Sequence, residues 1–153
     1  MTDQSPPWSS RSALISVSDL DRSTAFYQAI LEIHEVLRDE QIAILSGDAS
    51  RPFTLYLRQA LRGASRSGQD SLGVRALSID VGTTAALDGV EERLRANDAF
   101  RDRQSIPSRE KLEVLRGIDP DRFPLNFVAD ESNSEMSKVD YEYVITLMYA
   151  IDV

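Results

Sequence analysis

From residue 12 the chain alternates, with Ala13, Ile15 and Val17 on one side and Ser12, Leu14 and Ser16 on the other. A period of two marks a strand with one face in a core. Asp19 follows at a position where its carboxylate can cap the free amides of a first helical turn. Leu20, Ala25, Phe26, Ala29 and Ile30 then recur at helical spacing, while Asp21, Arg22 and Gln28 turn to water. The spacing predicts a helix near 20–31, followed by strands at Glu35–Arg38, Gln41–Leu45 and Phe53–Arg58. Ser46, Gly47 and Asp48 supply turn chemistry before the last of these.

Residues 59–73, QALRGASRSGQDSLG, lack apolar periodicity and read as a linker or mobile loop. The pattern then begins again. Ala76–Val81 alternates, with Leu77, Ile79 and Val81 opposite Ala76, Ser78 and Asp80. Leu87, Val90 and Leu94 predict an amphipathic helix over 84–96, and strands are expected at Arg103–Ile106, Lys111–Leu115 and Leu125–Val128. The order strand, helix, three strands therefore repeats after roughly 64 residues, and a repeat fixes architecture more firmly than a single motif. Residues 129–141 read as an exposed acidic loop, and Tyr143–Ile151, rich in β-branched and aromatic residues, as a terminal strand. Such a strand is expected to pair with a sheet edge or a partner chain.

The expected organisation is α+β: a tail over 1–11, a first βαβββ unit over 12–58, the linker 59–73, a second unit over 74–128, and the loop and strand of 129–153. Neither half carries many apolar residues, so one domain sharing a core is expected. The chain has 153 residues and a net charge of −8, with its cations scattered, which disfavours phosphate backbones. No apolar run reaches the ~20 residues that span a bilayer. Without cysteine, thiolate metal sites and cysteine nucleophiles are excluded. The N-terminus, MTDQSPPWSSR, lacks a basic start and an apolar stretch. No secretory signal is expected, the tail is expected to lay Trp8 on the body, and a cytoplasmic location is expected.

The stretch "VSDLDRSTAFYQAIL" resembles the strand end, Asp and Arg-Ser/Phe-Tyr helix of the vicinal oxygen chelate superfamily. That superfamily includes glyoxalase I, extradiol dioxygenases and the fosfomycin- and bleomycin-resistance proteins. "IDPDRFPLNF" is similar to a degraded form of the family's Asp-Pro-x-Gly-Asn turn, with Arg122 and Phe123 replacing Gly-Asn. Glu32 stands where a glycine usually ends the first helix. The resemblance covers about residues 11–128 and implies a curved mixed sheet around a cavity, commonly within a homodimer.

In metal-using members four strands each direct one ligand into that cavity. The matching positions here are Ser12, Tyr56, Ala76 and Asn126, none a histidine or carboxylate. A divalent site with imidazole and carboxylate ligands does not form from these residues. A single histidine, His34, also excludes a two-histidine triad; it can shuttle protons or sit on the surface beside Glu32 and Glu35. Neither a metal nor another cofactor is expected.

Other chemistry attaches to the same strand faces. Asp80 can act as general base, pair with a cationic ligand, or cap the following turn. Tyr56 and Arg58 share a face, as do Asn126 and Val128; Tyr and Asn can orient a guest's oxygens and Arg58 can bind an acid group or lie with its head in water. Leu14, Ser12, Ser16 and Ser78 complete the expected ligand-binding wall. No nucleophile elbow, P-loop or dinucleotide fingerprint accompanies the serines. The resemblance thus implies a metal-independent small-molecule binder of the bleomycin-resistance kind, sequestering a drug or natural product, with net acidity favouring a cationic guest. Two alternatives stand beside it: a metal-free enzyme using Asp80 or Tyr56 for proton transfer, and a protein-interaction module with a filled cavity.

Overall fold

In a computed structural model, which describes residues 12–64, 74 and 76–149, the repeated order is present in full. The first run is β1 (Ser12–Val17), α1 (Leu20–Leu31), β2 (His34–Arg38), β3 (Ile42–Ser46) and β4 (Thr54–Gln59). The second is β5 (Leu77–Asp80), α2 (Thr84–Ala96), β6 (Phe100–Ile106), β7 (Arg109–Ile118) and β8 (Pro124–Asp130), and α3 (Lys138–Tyr149) closes the chain. The tail with Trp8, residues 65–73 of the expected linker, and the last four residues lie outside the described part. Each run forms a four-stranded mixed sheet, ordered β1-β4-β3-β2 and β5-β8-β7-β6, with the outer pair β1/β4 or β5/β8 parallel. These are two βαβββ modules, and the chain divides into two units along them.

In the first module the residues that alternate inward are buried: Val17 on β1, Ala43 and Leu45 on β3, Leu55 and Leu57 on β4. Arg38, paired with Ala43 across the sheet, reaches Thr24 and Asp21, so α1 lies over this face. Asp19 caps α1 as the sequence predicts, accepting from the Arg22 amide at 3.0 Å. Gln59 ends β4 rather than opening a linker. Its amide accepts from the Leu20 N–H at 3.0 Å and donates to the Ser18 carbonyl at 2.8 Å, pinning the β1–α1 turn.

In the second module Leu125 and Phe127 of β8, Leu115 of β7 and Leu87, Val90 and Leu94 of α2 are buried. Gly117 on β7 is required by packing: a Cβ there would stand 2.9 Å from a Leu94 methyl and 3.0 Å from the Ala99 carbonyl oxygen. Arg103, on the same side, bonds Asp88 of α2 at 2.6 Å and Glu113 of β7 at 3.2 Å.

The C-terminal segment is a correction. Residues 143–149 are helix within α3, not strand, and the preceding polar stretch is not all exposed loop, because β8 runs to Asp130 and Asp140 is buried. The local β-propensity of Val139, Tyr141, Tyr143 and Ile145 is overridden by capping and packing. Ser137 and Asp140 form a reciprocal capping box: the Ser137 hydroxyl accepts from the Asp140 amide at 3.2 Å, and the Asp140 carboxylate accepts from the Ser137 amide at 2.8 Å. Val144 and Leu147, three residues apart on one helix face, then pack with Met136 against Ile106, Leu112, Val114 and Val128.

Candidate functional site

The two sheets each have a face opposite their long helix, and the backbone register defines what stands on it. On the first sheet three rows cross the strands. Ser12, Thr54, Ser46 and His34 form a polar row, in which the Ser46 and Thr54 hydroxyls lie 3.3 Å apart. Leu14, Tyr56, Ile44 and Leu37 form an apolar row beside it. Ser16, Arg58 and Ile42 form the third. This face is open: Leu14 is 68% exposed, and Tyr56, Leu37 and Ile42 are exposed as well. A contiguous apolar row left bare on a sheet marks an interaction surface rather than a fold requirement.

The second sheet's corresponding face places Ser78, Asn126, Arg116 and Asp102 in one row. Asp80, Val128, Val114 and Gln104 form the next, and Ala76 lies just before β5. Asp80 accepts from the Gly82 amide at 2.8 Å, so one of its oxygens braces the turn ahead of α2, whose cap is Thr83. Arg116 is buried; its Nε donates to Asp102 at 2.6 Å and its Nη1 to the Leu147 carbonyl near the end of α3. Beside it Asn126 is 0% exposed. Among the described residues neither its Oδ1 nor its Nδ2 has a hydrogen-bond partner. An orphaned buried polar group costs about 1–3 kcal/mol, and native folds keep few.

Helix α3 lies over this second face. Its apolar contacts fall on Val114 and Val128, one strand-pair step from Arg116 and Asn126. Its N-terminus is held by charge: Asp140 accepts from the Ser108 hydroxyl at 2.6 Å and lies 3.8 Å from Arg109. Arg109 also donates to Asp130 at 2.9 Å and to the Glu135 carbonyl at 3.0 Å, clamping the segment that leads into the helix. The Ser108 hydroxyl and the Ser137 amide hold the Asp140 carboxyl below its usual range, and Arg109 does the same for Asp130. Hydrogen bonding from Arg116 likewise lowers Asp102.

The matched metal positions do not fit a divalent ion. On the first sheet they offer the Ser12 hydroxyl and the Tyr56 phenol, on the second the Ala76 methyl and the Asn126 amide, with no charged donor among them. Among the described residues no three His, Cys, Asp or Glu side chains converge as a metal site.

No family model matches the chain, and no curated protein matches its sequence. Solved structures do match. A glyoxylase/bleomycin resistance protein/dioxygenase domain from Frankia sp. EAN1pec is 26% identical, with 85% of this chain and 96% of that one covered and a TM-score of 0.69. This chain resembles the vicinal oxygen chelate superfamily and has its fold of two βαβββ modules. More distant matches agree with this in fold. A lactoylglutathione lyase from Agrobacterium tumefaciens is 18% identical over 82% of this chain and 96% of that one, at a TM-score of 0.61. The fosfomycin resistance protein FosX from Mesorhizobium loti is 15% identical over 82% and 93%, at 0.59.

Of the expected binding residues, Ser12, Leu14, Ser16, Tyr56 and Arg58 share one face of the first sheet, and Ser78, Asp80 and Asn126 one face of the second. Sequence reasoning missed Ile44 and Leu37, which complete the apolar row, because it followed only the family's ligand-bearing strands. It also missed Arg116 and Asp102. A lone arginine inside the apolar run LEVLRGI was the available signal, since a charge so placed requires a partner.

Proposed function

We propose that this protein binds a small organic molecule on the open face of its first sheet, without a metal. The supporting observation is the row Leu14–Tyr56–Ile44–Leu37, exposed at every position but the half-buried Ile44 and flanked by hydroxyls on one side and by Arg58 on the other. The row supplies apolar and aromatic surface, and Ser12, Thr54 and Ser46 supply orienting hydrogen bonds. No carboxylate occupies these three rows, so the net charge of −8 does not make this face attract a cation. Arg58 gives it the opposite preference, for an apolar or aromatic guest carrying an acid group. Sequestration of a drug or natural product, by a homodimeric cytoplasmic protein, is the corresponding biological role.

The test is calorimetric titration of full-length protein with aromatic and aliphatic carboxylates, with and without EDTA, beside elemental analysis. Binding that survives EDTA, falls at least tenfold in Arg58→Ala and weakens in Tyr56→Ala is the expected result. Stoichiometric Zn, Fe, Mn or Ni, or binding abolished by EDTA, overturns the metal-independent reading.

A second reading rests on α3, which covers the second sheet's face with the chain's own apolar residues. That cover favours an interaction module over an enzyme for this half. The enzyme reading is weakened further because Asp80 already braces a turn. A search for turnover of the bound guest, with Asp80→Asn as control, separates the two: an Asp80 base would cost about 10²–10⁴ in rate when removed.

A further inference from the structure

The two modules act as controls for one another: the face that stands open on the first sheet is partly covered by α3 on the second. On that face Asn126, the cross-strand neighbour of Arg116, is fully buried with its whole amide unpartnered among the described residues. A permanent core selects against such a group, whereas a face that opens gives it partners. The hold on α3 is also largely polar and placed at its two ends, in the Ser108–Asp140–Arg109 cluster and in the Arg116 bond to the Leu147 carbonyl. Along the helix Leu147 is the only buried apolar side chain among the described residues, with Val144 partly buried.

We propose that α3 is a displaceable cover, and that the face around Asn126 is a second binding face, closed in the structure described. An amide with both its donor and its acceptor free selects a ligand presenting the complementary pair side by side, as a lactam or another cyclic amide does. Release of α3 also frees the Arg116 Nη1 that holds the Leu147 carbonyl. The arrangement rests on the reading that these sheet faces bind small molecules, and it adds regulation: the chain's own helix competes with the guest.

The test uses full-length protein and two readouts, amide exchange and binding of 2-pyridone as a cyclic-amide probe. In the native protein, α3 amides should exchange at least 100-fold faster than those of Val114–Arg116 on β7, because α3 opens without the sheet. Asp140→Asn, which weakens the latch without touching the binding face, should raise α3 exchange roughly tenfold and leave β7 unchanged. Apparent affinity for 2-pyridone should tighten by the same factor, since it scales with the open population. Asn126→Leu should remove that binding in either background. Ser108→Ala serves as a second unlatching variant should Asp140→Asn disturb the fold, which β7 exchange reports. Equal exchange of α3 and β7 overturns the cover. Independent opening of α3 with 2-pyridone affinity unmoved by unlatching, or indifferent to Asn126→Leu, overturns the site. Neither result bears on carboxylate binding at Tyr56 and Arg58, which the first sheet's own variants decide.

Discussion

The two modules share a topology and a register, yet their ligand-side faces are inverted in character. In equivalent positions of the repeat, the first sheet carries Leu14, Tyr56 and Ile44 and the second carries Ser78, Asn126 and Arg116. Leu14 and Tyr56 are exposed and Ile44 is half-buried, while Asn126 and Arg116, the polar pair, are buried. Solvent alone would arrange them the other way round. An exposed apolar row and a buried polar one are both unfavourable for an isolated chain. Under the proposed function a guest accounts for the first, and helix α3 packs on part of the second. A duplicated scaffold can thus keep one face for binding and hand the other to its own C-terminus, with the backbone pairing unchanged.

The largest expected effect tests that inversion directly. Ile42, in the row of Ser16 and Arg58, and Val114, in the row of Asp80 and Val128, occupy equivalent positions of the repeat, but Ile42 is exposed and Val114 is fully buried against α3. Val114→Asp forces a carboxyl against Val128 and Leu147, and should destabilise the protein by about 3–5 kcal/mol. Ile42→Asp should cost under about 1 kcal/mol, as for an ordinary surface change. Denaturant unfolding of both variants measures the difference. Equal costs would mean that α3 contributes little cover or that the first face is occupied as well.

Which parts were legible follows from what carries the signal. The helices over 20–31 and 84–96 were readable because caps and apolar periodicity agree locally, at Asp19 and along Leu87, Val90 and Leu94. Strand faces were readable because alternation is a local property, so Tyr56 was placed with Arg58, and Asn126 with Val128. Helix α3 was not, because its side-chain propensity favours strand and its partners Ile106, Leu112 and Val114 are some 30 residues distant. The capping box in SKVD was the one local sign. The apolar row across four strands was hidden for a different reason: it exists only through pairing, including a register shift between Glu35 and Leu37 that brings Leu37 beside Ile44.

Acid should separate the modules next. The lowered carboxylates of the first lie in surface turns, where Asp39 accepts from the Gln41 and Ile42 amides and Asp48 from the Ser50 hydroxyl and amide. Those of the second, Asp140, Asp130 and Asp102, bear on α3 and its approach. A carboxyl whose folded value lies below its unfolded one stabilises the fold above the unfolded value, near 3.9, and loses that contribution as pH falls through the folded value. As pH falls below about 4 the Ser108–Asp140–Arg109 cluster and the Arg109–Asp130 pair should therefore weaken, and α3 should detach before the first sheet changes. Exchange protection at pH 3 and pH 7 checks the order. Retained protection of α3 at pH 3 would show that its apolar contacts suffice.

The smallest effect asks whether the modules also share a strain. Glu32 ends α1 at φ 52° and Arg122 turns into β8 at φ 67°, both left-handed, where the superfamily resemblance expects glycine. A non-glycine residue there carries roughly 1–2 kcal/mol of steric cost. Glycine removes it while adding freedom to the unfolded chain, so the net gain is about 0.5–1 kcal/mol. Arg122→Gly should realise that gain, because the turn is organised by the Asp119 carboxylate, which accepts from the Asp121 and Phe123 amides at 2.8 and 2.7 Å. Glu32→Gly should gain less, since it also loses an exposed ion pair with Arg51 worth about 0–1 kcal/mol. Thermal and denaturant midpoints should therefore rise more for Arg122→Gly than for Glu32→Gly. A fall in stability for Arg122→Gly would show that its side chain has a further partner, and that strain does not account for the departure from glycine.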